Sequence, residues 1–495
     1  MGIVVVPNLR TASDVTVKKL TLSSASGDYD IVNYLEELNI YEDIFSNSMK
    51  AHLTLQESLN LPQYFPIVGE EYIDCSFYTV EPGGGIRVTS HDIHPPRLYV
   101  HELSDRFFRS QKSQRYSLDL VSEQYMSNIH QRISRSYDGA FVKALGFGDI
   151  AADIFNNHLQ DTGLSGDRPI YIEPTGNGEA EATIIIPNWH PHDALNWLAQ
   201  RAYPIGNKFA RNYLYFESMN GSHFQSLNHL MSVEPVLTFG LEQRVDDPEH
   251  VEALSGGYVK ADRISFDNSF KKVKNTKRGL YASKLITHDI VKKKILQHDY
   301  YGINDKKDNI YLNTNHVSKN ESFSNNPVAF QAGNTFNTSF APSPINPGKI
   351  DRGNRLIDFT DSCIEFYPKH DKMYAINSQN NYDNKVEEWK QIRHQQMQRL
   401  DGYTIIIECS GLSFLRLGTV IFVYVPSPET ISHGDRTVIN DKFMSGKYLV
   451  TAIQHVITQG KHGDFQYKMR IEATKDGIDG NIPNRSLVVG RDILR

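Results

Sequence analysis

One run near the end of the chain, FQYKMRIEATK, alternates without a break. Phe465, Tyr467, Met469, Ile471 and Ala473 fall on one side, and Gln466, Lys468, Arg470, Glu472 and Thr474 on the other. A period of two is the side-chain period of a strand, so the run places one face on a core and the other in water. The pattern recurs far upstream. MKAHLTLQES sets Met49, Ala51, Leu53 and Leu55 against Lys50, His52, Thr54 and Gln56. YIDCSFYTV aligns Ile73, Cys75 and Phe77, and RYSLDLVSEQ alternates Tyr116, Leu118 and Leu120 with Arg115, Ser117 and Asp119. YTIIIECSG alternates from Tyr403 to Cys409, and GTVIFVYVP is the short apolar run of a buried strand. Gly69, Pro82-Gly83-Gly84-Gly85 and Pro95-Pro96 punctuate the early strands. Strands at this spacing predict a small sandwich or barrel over 15–123 and a second strand-rich unit at the end of the chain.

Between these units the period changes, from about Tyr125 onward. Residues 138–160 place Phe141, Leu145, Ile150, Ile154 and Phe155 at helical spacing, weakened near Gly146 and Gly148, which predicts one or two helices. A short strand is expected at 182–186. In NWHPHDALNWLAQRAY, Pro191 suits a first helical turn and Ala194, Leu195, Leu198 and Ala202 form a buried stripe. FARNYLYFES, a turn at Gly221 and FQSLNHLMS predict a hairpin. Two strands are expected in 235–273, ADRISFDNSF being the clearer. The lysine-rich stretch 271–294 reads as a solvated face or loop in preference to a binding patch. Residues 302–354 are polar, rich in Asn, Ser and Pro and nearly aperiodic, and predict a surface excursion with little core of its own. A helix is expected over 386–400, with Val386, Trp389 and Ile392 inward. The expected fold class is α+β, mostly β, and 495 residues leave room for two to four domains.

The net charge of −6 argues against a dedicated nucleic-acid binder, because neutralising phosphates requires an excess of Lys and Arg. It is compatible with a passage whose mildly acidic wall keeps DNA from sticking. The three cysteines, Cys75, Cys363 and Cys409, form no CxxC pair, so neither a disulfide framework nor a thiolate zinc site is indicated, and folding in a cytoplasm is expected. MGIVVVPNLR is too short an apolar patch for a signal peptide, and Val6 stands where myristoylation needs Ser or Thr. No run approaches the roughly 18 apolar residues of a membrane span, so a soluble protein without a membrane anchor or export address is expected.

Candidate chemistry is sparse. The densest histidine cluster is His91, Asp92, His94, His101 and Glu102, in a Pro-rich turn and the strand after it; a metal site would need these ligands to converge. His190 and His192 precede Asp193, which is expected to satisfy free N–H groups at a helix start. Cys75 and Cys409 lie on apolar strand faces and are expected to be packing residues. There is no GxSxG elbow and no Walker loop, and PGGGIR lacks the strand and helix that a phosphate loop needs. The triplet Asn320-Glu321-Ser322 has no meaning without export, and among 58 acidic residues no glycosidase pair stands out. No catalytic, cofactor-binding or metal-binding residue is therefore expected, and no cofactor; weight shifts to an assembly role.

Three stretches, in order, resemble the central baseplate hub protein of contractile-tailed phages, the T-even-like tail hub family. They are LNIYEDIFSNSMKAHLTLQES; the pair DGAFVKALGFGDIAADIF and ATIIIPNWHPHDALNWLAQRAY, followed by NKFARNYLYFES; and QRLDGYTIIIECSGLSFLRLGTVIFVYVP with GKYLVTAIQHVI and FQYKMRIEATKD. The resemblance implies two tail-tube-like β-barrel or sandwich domains bracketing an α+β middle domain. The corresponding division is an arm at 1–14, a first tube-like domain at 15–125 and a middle domain at 126–234. A discontinuous second tube-like domain takes 235–273 and 400–476, the middle domain continues over 274–399 with the polar insertion 302–354, and 477–495 is a tail. It also implies a homotrimer that adapts a six-fold tail tube to a three-fold central spike and encloses a channel for tape measure protein and, in transit, DNA. Implied partners are the central spike protein, the tail tube or a tube-initiator protein, the tape measure protein and surrounding baseplate wedge proteins. The implied place is the virion tail baseplate, assembled in the host cytoplasm. A hub fused to a needle would need a repeat after Asp476. The readings from other classes are a tail-associated cell-wall-degrading enzyme (glycosidase or peptidase) and a receptor binder using the polar excursion.

Overall fold

The computed structural model describes residues 13–80, 90–137, 146–160, 168–176, 184–207, 210–241, 258–269, 271–280, 282–301, 360–369, 386–400, 403–427, 441, 444–460 and 463–476. The alternating runs of the first part become β1 (Asp14–Ser24), β2 (Gly27–Asp30), β3 (Leu35–Asp43), β4 (Lys50–Glu57), the helical turn α1 (Leu61–Tyr64), β5 (Tyr72–Val80), β6 (Ser90–Ile93), β7 (Leu98–Ser110) and β8 (Ser113–Ser122). A mixed segment follows: α2 (Glu123–His130), β9 (Ile133–Tyr137), α3 (Phe147–His158), β10 (Ile170–Ile172), β11 (Ile184–Trp189), α4 (Pro191–Arg201), β12 (Tyr213–Ser218), β13 (Gly221–Ser226) and α5 (Leu227–Ser232). Next come β14 (Leu237–Gly240), β15 (Tyr258–Lys260), β16 (Arg263–Ser269), α6 (Lys272–Lys277), β17 (Ala282–Asp289), β18 (Lys294–Tyr301), β19 (Ile364–Pro368) and α7 (Val386–Arg399). The last strands are β20 (Tyr403–Ser410), β21 (Val420–Tyr424), β22 (Gly446–Gln459) and β23 (Phe465–Lys475).

Strands from the two ends of the chain share one 15-stranded sheet, in the order β15-β14-β21-β22-β3-β4-β8-β7-β5-β1-β23-β20-β16, with β2 on β1 and β6 on β5. β22 also pairs with β23, so the path from β22 through β3, β4, β8, β7, β5 and β1 returns to its start. β22 is the joint. Its first residues pair with β21, a register shift between Val450 and Ala452 re-aims it, and residues from Ala452 to Thr458 pair with β3. One apolar core follows the sheet: Leu38, Leu53 and Leu118 belong to the same buried cluster as Ile407, Val450 and Ile471. The mixed segment has its own core, where Ile154 of α3 and Leu195 of α4 meet Tyr213 and Phe224. A third small core gathers Leu285 of β17 with Val386 and Trp389 of α7.

The mostly β class is borne out, as are α4 with its buried Ala194, Leu195 and Leu198, and α7 with Val386, Trp389 and Ile392 inside. Two expectations are corrected. The second hairpin strand stops at Ser226, whose Oγ accepts from the His229 amide at 3.0 Å and caps α5, so NHLMS is helical. Segment 235–273 holds β14, β15 and β16, three strands in place of two. The lysine-rich stretch contains α6 and β17, where Leu285, Thr287 and Asp289 alternate inward while Lys277, Lys292, Lys293 and Lys294 are exposed, as a solvated face has them. Segments 138–145, 302–354, 1–12 and 477–495 lie outside the described residues.

Candidate functional site

The largest organised surface is the face of the long sheet turned away from the core. Along the order β16-β20-β23-β22-β3-β4-β8-β7, cross-strand register sets side chains in rows. One row reads Ser410, Lys468, Val456, Asn39, His52, Asp119 and Glu102. The next reads Arg263, Glu408, Arg470, Gln454, Tyr41 and Lys50. Between them, on the opposite face, runs Cys409, Met469, His455, Ile40, Ala51, Leu120 and Val100, all buried. Strand pleating produces this division: the period-two pattern places one register of residues in the core and leaves the other polar, with Lys468, Arg470 and Glu102 exposed and Asn39 buried at the centre.

Acids and bases on this face are interleaved, and several of its polar side chains bond one another. Arg115 Nε donates to Glu36 at 2.7 Å, Asn39 Nδ2 to Glu37 at 2.7 Å, and Gln454 Nε2 to Asn39 at 3.0 Å. His52 Nδ1 and Ser104 Oγ both meet the Asp119 carboxylate, at 2.7 and 3.0 Å. Burial pushes the Asp119 carboxyl up, but these hydrogen bonds and the neighbouring histidines outweigh it and hold Asp119 below its ordinary value. Arg470 lies directly across from Glu408, so acid and base neighbour one another along this row.

Beneath the sheet, a buried polar anchor ties three parts of the chain. His455 of β22 bonds the Tyr467 hydroxyl through Nδ1 and Glu42 of β3 through Nε2, both at 2.6 Å. The other Glu42 oxygen accepts from the Met219 amide at 2.8 Å, at the β12–β13 turn. Glu217 accepts from the Met49 amide at 2.9 Å and from Ser122 Oγ at 2.5 Å. Burial raises the Glu217 carboxyl above its ordinary value, against the pull of Arg168 and these donors, and its Oε1 has no hydrogen-bond partner. Asn47 and Asn196 exchange amide bonds at 2.9 and 3.0 Å, and Arg168 Nη2 donates to the Ser218 carbonyl at 2.6 Å. Networks of this kind fix geometry, since a buried donor or acceptor left alone costs about 1–3 kcal/mol. Sequence reasoning missed every member: Glu42 and His455 lie 413 residues apart, and no local spacing marks either.

The residues the sequence singled out are scattered. Nothing is described of the His91 and Asp92 side chains in β6. His94 is half-buried, and its carbonyl lies 3.4 Å from Arg168 Nη1. His101 and Glu102 are exposed at a bulge in β7. Among the described residues, no three His, Cys, Asp or Glu gather as a metal site. His190 precedes α4 and turns Nδ1 onto the carbonyls of Asn128 and Gln131. The His192 amide in that first turn is satisfied by Asn128 Oδ1 at 2.8 Å, a cap supplied by α2; Asp193 adds a charge in the same turn. His192 itself is buried against Tyr215, and burial, with a smaller contribution from His190, lowers its pKa to about 4. Cys75 and Cys409 are buried thiols pushed up to about 12 by burial, as expected of packing residues, while Cys363 is half-buried. PGGGIR and Asn320 fall outside the described residues. No helix among the described residues is long and apolar enough to cross a membrane.

No family model and no curated protein matches the chain. Among solved structures it is similar to a tail protein from Neisseria meningitidis MC58, at 11% identity and TM-score 0.45 over 93% of this chain and 97% of that one. It is also similar to the 43 kDa tail protein of prophage MuSo2 from Shewanella oneidensis, at 12% identity and TM-score 0.44 over 94% and 100%. A third likeness is to the Francisella PdpA-VgrG complex, at 9% identity and TM-score 0.42 over 95% of this chain and 54% of that one.

Proposed function

We propose that this chain is a structural subunit of a phage-type tail baseplate, a hub that forms a trimeric ring around a channel. The observation that carries the reading is the unbroken sheet from β16 to β7, which joins the first and last β units and turns a polar face carrying both signs of charge away from the core. One end, β16, is an open edge, and the other, β7, is joined to β5 over only a short part of its length. β16 pairs only with β20 among the described strands, and β7 meets β5 only at Leu98 and Tyr99. A sheet with open edges is stable when another chain closes it. Three copies of eight strands make twenty-four; at about 4.8 Å spacing and a tilt of roughly 40° they close a circle about 48 Å across between backbones. Such a ring has a pore for a tape measure protein and for DNA in transit, and the two β units of each copy offer six similar contacts to a tube above and three-fold symmetry to a spike below. The 15–125, 126–234, 235–273 with 400–476, and 274–399 division gives each copy two such units and a middle domain. Tube or tube-initiator, central spike, tape measure and wedge proteins are the partners this geometry serves, in a virion tail baseplate.

Native mass spectrometry of the purified chain, alone and with a cognate spike, tests the reading. A trimer, alone or on the spike, is expected. A chain that stays monomeric in both conditions contradicts it, and clearing of peptidoglycan that disappears when one carboxylate is changed would replace it with the hydrolase alternative.

A further inference from the structure

Two turns on opposite parts of the sequence share an unusual composition with opposite charge. The β17–β18 hairpin tip reads Ile290, Val291, Lys292, Lys293, Lys294, Ile295, and every one of these side chains is exposed, Val291 to 74%. The tip is a built turn: Asp289 Oδ1 accepts from the Lys292 amide at 2.9 Å, and Lys293 adopts φ 52. The second turn lies on the first β unit. Tyr64 is 81% and Val68 71% exposed, with Glu70 beside them. Glu71 holds this loop by accepting from the Val68 and Gly69 amides. Tyr29 packs at a tilt against Phe65, ring centroids 6.3 Å apart, which brings β2 with exposed Asp28 and Asp30 to the same place.

Exposed aliphatic and aromatic side chains grouped on rigid turns mark interaction surfaces. A closed ring of identical copies needs two different, mutually complementary patches on one chain, because each copy meets its neighbours head to tail. A basic apolar knob and an acidic apolar knob meet that need, and opposite charges around an apolar centre set register. We propose that the β17–β18 tip of one copy docks on the Tyr64–Val68 loop of the next and closes the trimer. This rests on the ring reading above and names a contact that holds it.

Charge reversal followed by charge exchange, read by analytical ultracentrifugation, tests the contact. Lys293→Glu with Lys294→Glu is expected to weaken the trimer about a hundredfold, and so is Asp30→Lys with Glu70→Lys, since each lost pair is worth roughly tenfold. The four changes together are expected to recover at least tenfold of that loss. Unchanged trimers in both double variants, or no recovery in the combination, overturn the contact and leave the ring standing. So does a tip variant that loses binding to vesicles of anionic phospholipid while its trimer is intact, which would assign the tip to a membrane surface. A monomeric wild-type chain overturns the ring reading and this contact with it.

Discussion

At the scale of single residues, the chain invests its polar groups in holding parts together. His455, between Glu42 and Tyr467, joins strands that open and close the sequence, and Asn128 caps a helix from outside it. His192 shows what such burial costs. The unfolded chain protonates it at about 6.5, whereas the folded ring does so only near 4. Between those values the unfolded state binds more protons, so stability is lost as pH falls from 6.5 toward 4, by up to roughly 3 kcal/mol from this ring. His192→Phe keeps the packing on Tyr215, and Nε2 has no hydrogen bond to lose. Urea unfolding of this variant is expected to lose about 2–3 kcal/mol less between pH 7 and pH 4.5 than the parent does. Identical pH dependence in the two proteins would show that His192 is not the group that titrates. None of this was visible in sequence, where His190 and His192 looked equivalent; the difference is burial against α2 and β12, a tertiary property. The packing roles of Cys75 and Cys409 were legible, because strand alternation alone places them on the apolar side.

At the scale of elements, the alternating strands declared themselves and the short or bent pieces did not. β23 was readable because its pattern is uninterrupted and its two long neighbours, β20 and β22, pair along it. β15, three residues long, and α5, six residues long, carry too few periods to separate from a loop. β22 hides a joint that no pattern reveals, since its register shift changes partners without changing composition. Close approach at Gly411 is equally silent in sequence. A Cβ there would come within 1.9 Å of the Tyr467 ring, and the Gly411 amide donates to the Tyr467 carbonyl at 2.9 Å. The strand end β20 can lie on β23 only without that carbon, and the ring it would displace is the one hydrogen-bonded to His455. Gly411→Ala is expected to cost about 2–3 kcal/mol, as overpacking does in a rigid site. A urea midpoint within error of the parent would mean that Tyr467 moves freely, against its burial on both sides.

At the scale of the whole molecule, the face of the long sheet would decide what can pass along it in the proposed ring. Composition already excluded a strongly basic surface, with 52 Lys and Arg against 58 Asp and Glu, but it could not say where those charges lie. Register answers that: Arg470 faces Glu408 directly, while Lys468 shares its row with Asp119 and Glu102 on more distant strands, so the face carries both signs of charge. In a ring lined by this face, a polyanion gains little by releasing counterions and finds no place to stop. The assembled wild-type protein is therefore expected not to retain duplex DNA in mobility shifts at about 50 mM salt. Glu102 and Glu472 are both exposed on the face. Glu102→Lys with Glu472→Lys adds two lysines per copy and six per trimer, enough for DNA to bind with a log–log salt slope approaching roughly −5. In the proposed ring the wall would then hold DNA, while the apolar row beneath, and with it the fold, is expected to stay unchanged. Tight, steeply salt-dependent binding by the wild type would place an unmatched basic surface somewhere in the assembly and end the case for a passive channel.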